Sequence, residues 1–172
     1  LVINSFNEYY LSTAFPELIN MDIEIRRKSL NEYLDLIIYK DVVEKYNVSN
    51  IHLMKYLIKF LFSNSANLIS INKIYNELKS SGLKISRNSV YEYISYLEDS
   101  YTIFALPIYT RNLRERQRNP QKFYALDTGL RMAMTISEDK GKLLESIVFM
   151  ELRRQTKDIF YYFSAKEVDY IR

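Results

Sequence analysis

The chain has 172 residues, 48% of them hydrophobic and 26% charged, which is the composition of a folded globular protein rather than a disordered one. It has no cysteine, so a disulfide scaffold and a zinc site built from thiolates are excluded. The formal net charge is only +3, so a basic binding surface would depend on local clusters of arginine and lysine.

The sequence shows no secretory signal peptide and no apolar run near the roughly 20 residues that a membrane span needs. We therefore expect a cytoplasmic protein with no membrane partner. The chain has no initiator methionine, and its last apolar segment, "EVDYIR", has the pattern of a strand that is cut short. We expect both ends to continue in a longer protein.

Apolar residues recur at steps of three and four in the first part of the chain, which predicts amphipathic helices. These helices are predicted over Asn31–Tyr46, Ile51–Phe62 and Ile71–Ser80, with a fourth after Ser86. Asn50 and Ser86 are the expected N-caps, and Gly82 is expected to end the third helix. Because "LMKYLIKFLF" is apolar nearly all round, we expect the second helix to be buried on most sides.

The apolar period then changes to two, which predicts the strands Tyr101–Tyr109 and Gln121–Asp127. Three helices followed by a two-stranded hairpin is the order of a winged helix-turn-helix. Asp127 or Thr128 is expected to cap the next helix. A further helix and two strands are predicted over Lys142–Gln155, Ile159–Phe163 and Glu167–Arg172. The predicted fold class is α+β and mainly helical.

The strongest charge cluster lies between the two hairpin strands, in "RNLRERQRNPQK". It sets five basic residues against the single acid Glu115, and the basic residues are Arg111, Arg114, Arg116, Arg118 and Lys122. Side chains on such a loop can reach phosphates, and each neutralised phosphate adds salt-dependent affinity for nucleic acid. The alternatives are a solvated basic loop and a loop that docks on an acidic protein surface.

The helix after Ser86 is the candidate recognition helix. Arg87 and Asn88 at its N-terminus can contact bases or phosphates. Acidic residues farther along, Glu92, Glu98 and Asp99, oppose a DNA surface, so weak sequence discrimination is expected. The alternative is a winged helix that serves as a protein-interaction module.

Two acids near the end of the chain form a candidate metal pair. Glu145 lies on a predicted helix and Asp169 on the last predicted strand, and two such acids can converge on one Mg²⁺ if further carboxylates complete the site. The alternative is that both acids face solvent. No Gly-x-x-x-x-Gly-Lys-Ser/Thr run occurs, so the chain carries no phosphate-binding loop of that kind.

Six stretches in order carry a family resemblance: "AFPELI", "YLDLIIYKDVVEKYNV", "SVYEYISYLEDSYTIF", "QKFYALDTGLR", "GKLLESIVFMELRR" and "KEVDYI". They resemble the C-terminal half of a group of prokaryotic AAA+ ATPases whose ATPase module precedes a domain of unknown function, DUF 4143. The resemblance implies that residues 1–46 are the end of the ATPase lid and its connector. It implies a winged helix over residues 47–126 and the start of a PD-(D/E)XK nuclease-like α/β domain over residues 127–172.

In the resembled nuclease-like fold, Glu145 matches the helix acid and Asp169 the first strand acid, and a Glu-x-Lys strand would follow Arg172. The resemblance therefore implies a DNA-binding C-terminal region that cannot cleave DNA by itself. The alternative is a metal-dependent nuclease-like domain that is completed beyond Arg172. Its implied partners are DNA and the ATPase module of the parent, and a homo-oligomer is left open. It implies no cofactor in this chain, whereas the parent would bind ATP and magnesium.

Overall fold

The computed structural model describes residues 12–135, 139–163 and 167–171, and these residues form an α+β fold dominated by helices. After a short 3₁₀ turn at Pro16–Leu18, the helices are α1 Ile23–Ile37, α2 Ile51–Ser63, α3 Ile71–Ser80, α4 Arg87–Asp99, α5 Leu113–Arg118, α6 Thr128–Met134 and α7 Lys140–Gln155. The strands are β1 Leu68–Ile69, β2 Ile103–Leu106, β3 Gln121–Ala125, β4 Phe160–Phe163 and β5 Glu167–Ile171. None of the helices within the described ranges is long and apolar enough to cross a lipid bilayer.

Helix α1 begins at Ile23 rather than at the predicted Asn31, because the side chain of Asp22 caps it and accepts a hydrogen bond from the Glu24 N–H at 2.9 Å. From Ile38 to Glu44 the helix continues with π-helical hydrogen bonding. The wider turn lets residues spaced by four stay on one face. The buried face consists of Leu30, Leu34, Ile38 and Val42.

Helix α2 lies at the centre of the larger hydrophobic core, as its apolar sequence predicts. Six of its residues are buried: Leu53, Met54, Leu57, Ile58, Leu61 and Phe62. The predicted caps are confirmed, since Asn50 Oδ1 accepts from the Leu53 N–H at 2.9 Å and Ser86 Oγ accepts from the Ser89 N–H at 3.0 Å. The residues of this core run from Leu18 to Ala133. They therefore come from all three regions that the resemblance implies, which are residues 1–46, 47–126 and 127–172.

The strands β1, β3 and β2 form an antiparallel sheet in that spatial order, with β3 in the middle. Phe104 of β2 pairs with Tyr124 of β3, and Ile69 of β1 pairs with Gln121 of β3. Strand β2 is shorter than the predicted Tyr101–Tyr109 and ends at Leu106, because Pro107 follows and cannot donate to a ladder. β1 is not predicted from the sequence, since two residues are too few for a periodic signal.

The start of α6 forms a tight junction with residues 12–14. Asp127 is its N-cap, and the same carboxylate accepts hydrogen bonds from Thr13 Oγ1 at 2.8 Å and the Ala14 N–H at 2.7 Å. Gly129 lies against this segment, and a Cβ added there would lie 2.6 Å from the carbonyl oxygen of Ser12. Glycine is therefore required by close packing at this position.

Strands β4 and β5 form an antiparallel hairpin whose inner residues enter a second core with α7 and the outer face of β3. There the rings of Tyr124 and Phe149 are stacked with centroids 4.1 Å apart. Tyr161 of β4 joins the hairpin to the first sheet. Its N–H donates to the Pro107 carbonyl at 3.0 Å, its carbonyl accepts from the Tyr109 N–H at 2.7 Å, and its hydroxyl donates to the Pro120 carbonyl at 2.6 Å.

Candidate functional site

The basic segment between β2 and β3 folds into the short helix α5, which is not predicted from its sequence. Asn112 caps this helix, with Oδ1 accepting from the Arg114 N–H at 3.0 Å. Glu115, the acid of the segment, accepts from Thr110 Oγ1 at 2.9 Å. Arg111, Arg114 and Arg118 are exposed. The segment therefore presents three exposed arginines, and two of them, Arg114 and Arg118, lie on α5.

Arg116 faces inward and holds α5 against strand β4. Its guanidinium donates to the Thr110 carbonyl at 2.9 Å and lies over the Phe160 ring, 4.6 Å from the centroid. A guanidinium in such a cation–π contact stabilises the packing of the segment. This arginine, although part of the predicted basic cluster, is thus occupied by the protein itself.

Arg118 and Arg87 line one cleft of about 320 Å³, although they are distant in the sequence. Tyr91, 46% exposed, lies in the same cleft, one helical turn after Arg87 on α4. The guanidinium of Arg87 lies 5.3 Å from the centroid of the Tyr75 ring, a contact that restricts its position. Two basic positions that the sequence predicts separately are therefore brought together.

The remaining wall of the cleft is the N-terminus of α3, formed by Ser70, Ile71 and Asn72. Ser70 caps α3 by accepting from the Lys73 N–H at 3.2 Å. This wall is not predicted from the sequence, because a serine before a helix indicates an N-cap and not a binding site. Asn88 is exposed beside Arg87 on α4 but does not line the cleft.

Lys122 lies apart from the other basic residues, in the middle strand of the sheet. It is only 3% exposed, and its Nζ donates to Glu145 Oε1 at 3.0 Å and to Asp169 Oδ1 at 2.7 Å. The two acids predicted as a metal pair therefore do converge, but on an ammonium group. No group of three or more His, Cys, Asp or Glu side chains able to hold a metal occurs in the described ranges, and a metal role for the pair stays a prediction.

Two tyrosines complete this ionic cluster. The Tyr124 hydroxyl donates to Glu145 Oε1 at 2.8 Å, and the Tyr170 hydroxyl donates to the Glu145 backbone carbonyl at 2.8 Å. Burial raises the pKa of both tyrosines well above the usual range, so both remain protonated donors at neutral pH. The cluster links β3, α7 and β5. Its lysine pairs with both carboxylates, so the arrangement serves the structure.

A family model described as "Domain of unknown function (DUF8612)" matches residues 3–140. The chain is 39% identical over 160 residues to "Uncharacterized protein MJ1544" of Methanocaldococcus jannaschii, and 26% identical over 174 residues to an "Uncharacterized protein" of Haemophilus influenzae. These matches cover 90% and 99% of this chain but 36% and 44% of the two relatives, so the chain spans less than half the length of the curated relatives it matches. No solved structure matches the chain.

These matches show that the predicted membership of the AAA+ ATPase group with DUF 4143 is wrong. The family model that matches is a different one, and the relatives are named only as uncharacterized proteins. Two residues of the quoted stretches serve general folding needs in this structure. Asp127 of "ALDTGL" is a helix cap and Gly129 a packing requirement, so neither reports on ATPase or nuclease chemistry. The implied ATPase partner, its ATP and magnesium, and the nuclease-like domain lose their support with that resemblance.

Proposed function

The chain belongs to the family described as "Domain of unknown function (DUF8612)". We propose that it binds the phosphate backbone of nucleic acid through a winged helix. The observation that carries the proposal is the cleft shared by Arg87 and Arg118. Two guanidinium groups facing one concave, exposed surface favour a ligand with repeated negative charge.

The winged-helix assignment is supported by the order of elements, α2, β1, α3, α4, β2, α5 and β3, and by the sheet order β1-β3-β2. In this assignment α4 is the recognition helix and the segment containing α5 is the wing. Both elements border the cleft, α4 through Arg87 and the wing through Arg118. The nucleic acid would therefore lie between the recognition helix and the wing.

The phosphate contacts assigned by this proposal are Arg87, Arg118 and the exposed wing residues Arg111 and Arg114. The backbone N–H groups at the N-terminus of α3 add partial positive charge to the same cleft. Arg116 and Lys122 are left out of the contact set because their charged groups already bind Thr110 and Phe160, and Glu145 and Asp169.

Binding to a fluorescent duplex at several salt concentrations tests the proposal. The key variant is Arg87→Ala/Arg118→Ala. Its matched control is Lys28→Ala/Arg154→Ala, which removes two exposed positive charges that do not line the cleft. Each lost phosphate contact should reduce the steepness of the slope of log affinity against log salt concentration by about 0.9. The slope of the key variant should therefore fall by about 2, and the slope of the control should not change. Equal losses in both variants, or no binding by the unaltered chain to any nucleic acid at low salt, would refute the proposal.

A protein-interaction module is the second candidate, and exposed apolar side chains on α1 favour it. Ile23 is 74% exposed, and Ile25 and Leu36 are each 57% exposed. Large apolar side chains exposed to solvent on one helix are available to contact a partner protein. This function predicts no salt-dependent nucleic-acid binding in the same assay.

A further inference from the structure

Tyr91 is an aromatic residue that lies outside the hydrophobic core. The buried stripe of α4 consists of Val90, Ile94 and Leu97, whereas Tyr91 is 46% exposed. It follows Arg87 by four residues, so both side chains lie on one face of the helix. Arg118 faces them from the wing across the cleft. An exposed ring and two arginines thus line one cleft.

The size of the cleft limits what can enter it. A volume of about 320 Å³ is at the small end of the range for small-molecule sites, which is enough for one nucleotide, whereas a duplex would place only its phosphates at the rim of the cleft. Within a duplex both faces of each base are covered by neighbouring bases, so a protein ring cannot stack on a paired base unless that base leaves the stack. Unpaired bases, in contrast, stack on aromatic side chains without regard to sequence.

We propose that the cleft binds an unpaired nucleotide of a single strand, with the base stacked on Tyr91 and the adjoining phosphates on Arg87 and Arg118. This inference rests on the proposed function, because the same arginines bind the backbone in both. Polar atoms of Ser70 and Asn72 at the opposite wall contact the sugar and the base edge. The preferred ligand is single-stranded nucleic acid, read with little sequence discrimination.

Fluorescence anisotropy with a labelled oligothymidylate of about 16 nucleotides tests the inference, against a duplex of equal length. The critical variant is Tyr91→Leu, which keeps apolar bulk but removes the ring, and its control is Tyr91→Phe, which keeps the ring. The unaltered chain should bind the single strand more tightly than the duplex. Tyr91→Leu should weaken single-strand binding by about 5- to 140-fold, the range measured for one base-stacking residue.

Several readouts separate stacking from other effects. Tyr91→Leu should leave the salt slope unchanged, because no charge is altered, and it should weaken duplex binding far less than single-strand binding. Tyr91→Phe should bind the single strand like the unaltered chain. Thermal melting of each variant confirms that it folds. Unlabelled thymidine monophosphate should compete poorly, because it offers one phosphate to two arginines.

The possible failures are distinguishable. Salt-dependent duplex binding that is as tight as single-strand binding, with no effect of Tyr91→Leu, overturns this inference and leaves the proposed function standing. Competition by the mononucleotide as strong as by the strand also overturns it, in favour of a free-nucleotide site. Absence of binding to both polymers overturns the inference and the proposed function together.

Discussion

Replacing Lys122 by methionine should destabilise the protein strongly, although the side chain keeps most of its length. Lys122 Nζ binds Glu145 at 3.0 Å and Asp169 at 2.7 Å, and the exposed fractions of those side chains are 22% and 55%. Breaking a buried ion pair by removing one partner costs about 3–5 kcal/mol. Because Asp169 is half exposed and regains water, and Tyr124 still donates to Glu145, we expect the lower end, about 3 kcal/mol. For a chain of this length that lowers Tm by about 6–12 °C.

The assay is thermal unfolding followed by circular dichroism at neutral pH. The control is Lys28→Met, which removes an 81% exposed lysine paired with Glu32 and should change stability by less than about 0.5 kcal/mol. Lys122→Met combined with Glu145→Gln and Asp169→Asn should recover much of the loss, since the carboxylates are then neutral. The reasoning is refuted if Lys122→Met melts like Lys28→Met, or if neutralising both acids restores nothing.

Three further predictions concern single contacts. The first is that Asp139→Ala, which removes the N-cap of α7, lowers Tm at pH 7 and lowers it progressively less as the pH is reduced below about 3.9. The hydrogen bond that Asp139 accepts from the Lys142 N–H holds the pKa of its carboxyl below the usual range. The carboxylate therefore stabilises the fold above the unfolded pKa of about 3.9, and this stabilisation is lost as the pH falls through the folded pKa. An equal loss of Tm at pH 7 and at low pH would contradict this. The second is that Arg116→Met, which removes the guanidinium over Phe160 and its hydrogen bond to the Thr110 carbonyl, costs about 1–2 kcal/mol in urea unfolding without changing the salt slope of nucleic-acid binding. A slope lowered by about 0.9 would place this residue on a phosphate. The third is that Gly129→Ala, whose Cβ would lie 2.6 Å from the Ser12 carbonyl, costs about 1–3 kcal/mol, seen as a lower urea midpoint with unchanged m; an unchanged midpoint would show that the segment can move aside.

Local signals in the sequence were enough to place most helices. Asn50 and Ser86 are caps in the structure as predicted, and α3 has the predicted bounds, because capping and apolar periodicity act within a few residues. α5 was missed because its six residues carry no apolar stripe and depend on the Asn112 cap. The early start of α1 was missed because its first turns are exposed and therefore lack periodic apolar residues.

The site was harder to predict because it depends on contacts between distant residues. Arg87 and Arg118 were each predicted from local charge, but only the packed sheet brings them to one cleft. Lys122 was grouped with the wing because lysine is rarely buried, whereas its partners Glu145 and Asp169 lie 23 and 47 residues away. The convergence of those two acids was predicted, and the lysine between them was not.

The contacts of Tyr161 affect how far the segment between β2 and β3 can vary in sequence and in length. Its backbone and hydroxyl hold Pro107 and Tyr109 at one end of the segment and Pro120 at the other, so the distance between the two ends is set from outside. Residues between the anchors can then be exchanged, or increased in number, without shifting the register of β2 and β3. Doubling the length of such a loop costs only about 0.6 kcal/mol. The segment between β2 and β3 can therefore carry different numbers and spacings of exposed arginine on an unchanged framework.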